Sequence, residues 1–167
     1  MKEITSIAKM QNMNIQDDLQ EISLLDSVNH ILETVAPLIQ DKDIQIHQNI
    51  KTEMVLSVNS NLWNKALSNI IGNAIRHSPC GENVFISLQQ CEQGNVFLVE
   101  NTGTSIPEAD FEYMFTPFYR ADKSRSKLTG GSGLGLYIVK TILDLHGMNC
   151  CIRNTARGVE FCIYLNV

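Results

Sequence analysis

The sequence has no apolar run approaching the ~18 residues needed to span a bilayer. Met1–Gln20 also lacks the apolar core of a secretion signal. Positive charge is scarce: 13 Lys and Arg stand against 18 Asp and Glu, a formal net charge of −5. A protein that neutralises nucleic-acid phosphates needs the opposite balance, which argues against a nucleic-acid partner. The cysteines Cys80, Cys91, Cys150, Cys151 and Cys162 form no C-x-x-C pair and no Cys/His cluster at zinc spacing. They read as reduced thiols of a cytosolic protein, four of them in or beside strand-like stretches where Cys serves as a small hydrophobe. Against these absences, 44% of the 167 residues are hydrophobic and 19% charged. That suffices for one domain with a real core plus a short appendage, and argues against wholesale disorder.

Residues 1–20 are polar, with a sparse stripe of Ile4, Ile7, Met10 and Ile15. The stripe fits either a helix that needs a partner helix or a frayed terminus. Ser23–Ile39 is predicted helical, with Val28, Ile31, Leu32, Val35 and Leu38 on one face. Ile44–Ile50 and Met54–Val58 read as strands. Ser60-Asn61 offers an N-cap for a helix over Leu62–His77, which Ser78-Pro79 ends. Glu82–Gln90 and Asn95–Asn101 are strands around a turn at Gln93-Gly94. A turn over Thr102–Pro107 leads into a short helix through Phe115. Thr116–Ser132 reads as a long functional or disordered loop. Gly133–His146 is a helix closed by Gly147, and Met148–Asn154 with Val159–Asn166 form a final hairpin. Helices never alternate singly with strands, which disfavours a doubly wound parallel sheet. The expected fold is a two-layer α/β sandwich of the α+β kind. Its sheet is mixed and mostly antiparallel, covered on one face by about three helices.

Two segments carry chemistry. Thr129-Gly130-Gly131-Ser132-Gly133-Leu134-Gly135-Leu136 opens directly onto a helix. Such glycines let backbone N–H groups converge on an anion, and the helix adds its positive end, so a phosphate chain is the natural ligand. No Gly-Lys-Ser/Thr follows, so this is no P-loop, and a flexible hinge is the alternative. Asn69 and Asn73 lie four apart on the preceding helix, with Arg76 and His77 continuing that edge. Asn oxygens suit a Mg²⁺ already carried by phosphates, and Arg76 suits the phosphates themselves. Two solvent-facing amides are the alternative.

The segments occur in a recognisable order. Asn69-Ile70-Ile71-Gly72-Asn73-Ala74-Ile75-Arg76-His77 resembles the N box of bacterial sensor histidine kinases. Val99-Glu100-Asn101-Thr102-Gly103-Thr104-Ser105-Ile106-Pro107 resembles their first glycine box, Phe115-Thr116-Pro117-Phe118-Tyr119-Arg120 their F box, and Gly131-Ser132-Gly133-Leu134-Gly135-Leu136 their second glycine box. The likeness runs over about residues 23–167. It implies the sandwich shared with gyrase, mismatch-repair and heat-shock chaperone ATPases, with the long loop as an ATP lid. It assigns Mg²⁺ to Asn73 with Asn69 nearby, phosphates to Arg76, and the neighbourhood of the adenine to His77. The adenine amino group falls to Asn101 and the adenine pocket to Gly103 and Ile106. Tyr119 and Arg120 fall in the lid, with Arg120 reaching the γ-phosphate, and Gly131, Ser132, Gly133, Leu134 and Gly135 wrap the phosphates. Asn69, Asn73 and Arg120 are the catalytic set.

Two departures from the family pattern stand out. Asn101 replaces the usual Asp, which keeps an acceptor and loses a charge. Thr104-Ser105 stands where a second glycine is usual. Relatives that hydrolyse ATP carry a Glu one helical turn before the Mg²⁺ ligand. Asn69 occupies that place and cannot act as a base, which favours a kinase over an ATPase. No histidine here sits in a phosphoacceptor motif. The resemblance therefore implies a transferase of two-component signalling: a catalytic domain over 21–167, preceded over 1–20 by a remnant of the dimerisation and phosphoacceptor helix or by a linker. It would donate the γ-phosphate of Mg-ATP to a histidine on a dimerisation domain and so serve a response regulator. The expected fragment is cytoplasmic and monomeric, and the full-length protein homodimeric and membrane-anchored. The alternatives are a non-catalytic ATP-binding regulatory module and a serine kinase of the anti-sigma type.

Overall fold

The first two α-helices start at side-chain caps, and the third stops at a glycine turn. The computed structural model describes residues 15–51, 53–92, 94–120 and 132–165. Ile4, Ile7 and Met10, the turn residue Gln93, and the loop residues Lys123, Arg125, Lys127 and Gly131 lie outside them. Ile15 begins a 3-10 segment, Ile15–Asp18, rather than extending a helical stripe, and is buried in the core. Helix α1 (Leu24–Asp41) starts where Ser23 Oγ accepts the Asp26 N–H at 3.2 Å. Helix α2 (Ser60–His77) starts where Asn59 Oδ1 accepts the Leu62 N–H at 3.1 Å. The cap is thus Asn59, one residue ahead of the expected Ser60-Asn61, because the extended backbone ends there (φ −71°, ψ 110°). Helix α3 spans Gly135–Leu145, shorter than the expected 133–146. Gly147 (φ 66°) closes it: the Gly147 N–H reaches Asp144 O at 3.0 Å and the Met148 N–H reaches Leu143 O at 2.9 Å, a Schellman motif.

The strands are β1 (Gln20–Ser23), β2 (Gln45–Asn49), β3 (Val55–Val58), β4 (Asn83–Cys91), β5 (Gly94–Thr102), β6 (Asn149–Asn154) and β7 (Gly158–Leu165). The main sheet runs β2-β4-β5-β7-β6; β2 and β4 are parallel and the remaining pairs antiparallel. β1 pairs with β3 in a separate antiparallel ribbon. It was not expected, because Gln-Glu-Ile-Ser has no apolar alternation. The segment after Pro107 is a 3-10 helix over Glu108–Tyr113 rather than an α-helix through Phe115.

Alternation sorts the sheet into two faces. Val84 and Ile86 of β4, Phe97 and Val99 of β5, and Phe161 and Ile163 of β7 share one core with all three α-helices. Val96, Leu98 and Cys162 form a smaller cluster on the opposite face with Cys151 and Tyr164 and no helical residue. This is the two-layer mixed sandwich that the order of elements predicts. Among the described residues no helix is long and apolar enough to cross a membrane.

Candidate functional site

Helix α2 brings two carboxamides to the end of α3. Asn69 Nδ2 donates to Lys65 O one turn back at 2.9 Å, which leaves Oδ1 facing α3. A Cβ built on Gly135 would lie 3.0 Å from Asn69 Oδ1 and 3.7 Å from Asn73 Nδ2. A side chain at this position would crowd the amides, and glycine lets α3 approach them closely. Arg76 Nη2 donates to Asn73 Oδ1 at 2.8 Å, and its guanidinium lies over Gly72, where a Cβ would come within 3.1 Å of Nη1. Desolvation lowers the Arg76 pKa, but a guanidinium stays cationic. The carbonyls at the end of α2 are closed from outside the helix. Lys42 Nζ donates to Ile75 O at 2.8 Å, to Arg76 O at 2.7 Å and to Ser78 O. Burial against this helix end pulls the Lys42 pKa below its ordinary value.

The N-terminus of α3 is finished differently. Leu134 occupies the cap position and gives no side-chain cap; its own N–H goes to Ser132 Oγ at 3.3 Å. Gly133 has φ 72°, and a Cβ on it would meet the Phe118 carbonyl carbon at 2.9 Å. The Phe118 N–H donates to Gly133 O at 3.0 Å, which joins the two ends of the long loop. Phe118, 62% exposed, adopts φ 64°, a conformation rare for a bulky residue. Tyr119 OH donates to Asp110 Oδ1 at 2.5 Å, and this bond pushes the Tyr119 pKa up to about 12. The loop base is thereby tied to the 3-10 segment. N–H groups at the head of a helix, next to two amide oxygens and a guanidinium, can hold an anion together with its counter-cation. Among the described residues no group of three or more His, Cys, Asp or Glu could hold a metal. A cation here would be carried chiefly by the phosphates it accompanies.

A third group lies at the end of β5. Asn101 is 6% exposed, and its Nδ2 has no hydrogen-bond partner among the described residues. A buried amide N–H left unpaired costs about 1–3 kcal/mol, so this group points to a ligand. The turn beyond it is clamped. Asn154 donates Nδ2 to Ile106 O at 2.8 Å and accepts the Ile106 N–H at 2.9 Å. A Cβ on Gly103 would lie 2.7 Å from Glu82 Cδ, and the Gly103 N–H reaches Arg157 O at 3.1 Å. Gly158 lies so close to Asn101 O that a Cβ would overlap it. The adjacent Glu100 accepts from Thr155 Oγ1 at 2.6 Å and from Arg157 Nη2.

Asn69, Asn73, Arg76 and Gly135 thus meet directly, with Ser132, Gly133, Leu134 and Tyr119 along the adjoining loop base. Asn101 lies near the end of β5, a strand whose Phe97 and Val99 pack in the same core as α2, and Gly103 and Ile106 follow it. His77 lies exposed at the end of α2, and Arg120 is the last residue described on the first limb of the lid. Lys42, Asn154, Gly158 and Asp110 support the site and were not singled out beforehand. Their partners lie 9 to 57 residues away, beyond any local pattern.

A family described as histidine kinase-, DNA gyrase B-, and HSP90-like ATPase matches residues 59–167. The chain is 30% identical to the sensor histidine kinase CusS of Escherichia coli O157:H7, with 99% of this chain and 36% of that protein covered. The chain thus spans about a third of the length of the curated relatives it matches. In solved structures it is similar to the catalytic domain of histidine kinase ThkA, with TM-score 0.77, 23% identity, and 88% and 94% of the two chains covered. It is also similar to full-length ShkA in complex with AMPPNP, with TM-score 0.80, 20% identity, and 97% and 34% covered. Both structural likenesses concern the fold.

Proposed function

The chain belongs to the histidine kinase-, DNA gyrase B- and HSP90-like ATPase family, and from that premise we propose that it binds Mg-ATP between α2 and the head of α3. There it presents the γ-phosphate to a histidine on a dimerisation domain, as the ATP-binding domain of a two-component sensor kinase that serves a response regulator. The observation that carries the reading is the helix end without a side-chain cap that opens onto Asn69 and Asn73. The ATP analogue named with ShkA supports the nucleotide class.

The roles follow from the chemistry of each group. The α3 N–H groups and the Gly133–Gly135 backbone hold phosphate oxygens. Asn73 Oδ1 already faces a cation, the Arg76 guanidinium at 2.8 Å. Asn73 would hold the metal through Oδ1, and Arg76, with Arg120 of the lid, would face the phosphates. Bound Mg²⁺ would supply charge neutralisation there. Phosphoryl transfer depends mainly on alignment and such neutralisation. Asn69 cannot accept a proton, so water attack goes without a base and the phosphoryl group is kept for its acceptor. At the far end, the Asn101 carboxamide offers an acceptor and a donor side by side. That matches an aminopurine edge, which pairs an N–H donor with a ring-nitrogen acceptor. An Asp would bind the amino group through a charge-assisted bond about twice as strong, so Asn101 lowers affinity while keeping base selectivity.

Calorimetric titration of Mg-ATP into the domain, followed by transfer of labelled γ-phosphate to a separately prepared histidine-bearing dimerisation domain, tests the reading. Binding that weakens in Asn73→Asp and Gly133→Ala, with transfer in the wild type, is the expected result. Binding unchanged in both variants overturns the site. Binding without transfer favours a non-catalytic regulatory module, the second reading that Asn101 raises.

A further inference from the structure

We propose that Cys151 and Cys162 form a cross-strand dithiol on the outer face of the sheet, which a small-molecule disulfide oxidises to an intrachain disulfide. The proposal is independent of the nucleotide site.

The register of β6 against β7 sets Cys151 directly opposite Cys162. Directly opposed residues of an antiparallel pair have Cα atoms roughly 4.5–5.5 Å apart. A disulfide spans about 4.4–6.8 Å between Cα atoms, so either type of pair accommodates it without backbone movement. Both side chains leave the sheet on the face away from the helices. Cys162 belongs to the outer cluster with Val96 and Leu98, and Cys151 and Tyr164 pack against it. The third cysteine of the hairpin, Cys150, sits opposite Ile163 and joins the inner core, so it faces the wrong way to compete. The exposed Cys80 and Cys91 lie on other elements, Cys80 just past α2 and Cys91 at the end of β4.

The two thiols also differ in a way that orders the reaction. Cys151 is half-buried, whereas Cys162 is 1% exposed. Cys151 Sγ lies 3.9 Å from Tyr164 OH, and Cys162 Sγ lies 3.6 Å from Glu160 Oε1. Burial raises the Cys162 thiol well above its ordinary value. With oxidised glutathione as oxidant, the Cys151 thiolate attacks one sulfur, the glutathione S–S bond breaks, and one glutathione thiolate leaves. The mixed disulfide on Cys151 is then attacked by the Cys162 sulfur. The Cys151–Cys162 bond forms and the second glutathione thiolate leaves. The two protons given up by the cysteines end on the two glutathione thiols. Two protein thiols are oxidised and one disulfide is reduced. The second step is the slow one, because the buried thiol must first ionise.

The test uses the native domain carrying Cys80→Ser and Cys91→Ser, incubated with oxidised glutathione and then alkylated. Trypsin cuts after Arg153 and Arg157 and so puts Cys151 and Cys162 on separate peptides. The expected result is a pair of peptides joined through these two sulfurs, lighter by two hydrogens than the pair of free thiols. Cys150 should be alkylated, and the bridge should be lost in Cys151→Ser and in Cys162→Ser. Closing a loop of this size should raise the melting temperature by roughly 5–10 °C. Three outcomes overturn the proposal: a glutathione adduct that persists on Cys151, a bridge that uses Cys150, or two free thiols after prolonged oxidation in a folded protein.

Discussion

Helices α2 and α3 meet at the candidate site and are finished in opposite ways. Asn59 caps the start of α2 and Lys42 closes its end from another element, so its side chains do the work at the site. The end of α3 is closed by its own Schellman turn, and its start has no side-chain cap. The chain does cap helices elsewhere, since Ser23 serves α1 as Asn59 serves α2. The difference teaches that α2 is a rigid rack for three polar side chains, whereas α3 offers backbone. A helix start that its N-cap side chain does not close presents backbone N–H groups to a ligand.

The sharpest way to break this contrast is to remove the side chain on which the rack depends. Asn73→Ala is expected to weaken Mg-ATP binding by roughly 10–100-fold, the range for losing one charge-assisted interaction. A dissociation constant within twofold of the wild type would show that α2 contributes no ligand. Gly133→Ala attacks the other side. Its φ of 72° and the backbone of Phe118 at 2.9 Å leave no place for a methyl group. We expect about 1–2 kcal/mol of local strain, a loosened loop base, and affinity lowered by about tenfold. Gly135→Ala separates binding from stability. Alanine is the better helix former by up to ~1 kcal/mol, while its Cβ would crowd Asn69 Oδ1 at 3.0 Å. Weaker nucleotide binding without loss of melting temperature is the expected pattern. Equal loss of both would mean that α3 packs there for structure alone.

The same contrast explains what the sequence made legible. The amides, the glycines and the three helices followed from local patterns: Asn spacing of four, a glycine run before an apolar stripe, alternation in the strands. The face of α2 that carries Asn69 and Asn73 was readable because i and i+4 fix it. The supports were not. Nothing near Lys42 announces that its ammonium will close the end of a helix at a carbonyl 33 residues later, and nothing near Asn154 marks it as the clamp on Ile106. β1 escaped because two-stranded pairing with β3, not apolar alternation, creates it. Asn59 was passed over for Ser60-Asn61 because all three residues make good caps, and only the backbone path decides among them. Cys151 and Cys162 were read singly as small hydrophobes. Their opposition is a property of the β6–β7 register, which sequence spacing alone does not fix.

The smallest expected effect concerns the tie that keeps the loop base beside α3. Tyr119 in the folded domain ionises at about 12, because Asp110 accepts its proton in a hydrogen bond, against about 10 in an unfolded chain. A raised folded value means that the unfolded chain loses this proton first as the pH climbs. The contribution of the bond to stability is therefore complete below about pH 10 and disappears as the pH rises through about 12. Tyr119→Phe should melt slightly earlier than the wild type at neutral pH, by a gap that narrows steadily above about pH 10. Because both proteins share every other titrating group, the difference between their melting curves isolates this one. A gap that stays constant to the alkaline limit would mean that Tyr119 acts through ring packing on Tyr113, at 5.4 Å between centroids, and not through Asp110. In that case the loop base is held by contact alone, and the difference in finish between α2 and α3 rests on the backbone geometry of Gly133 and Phe118.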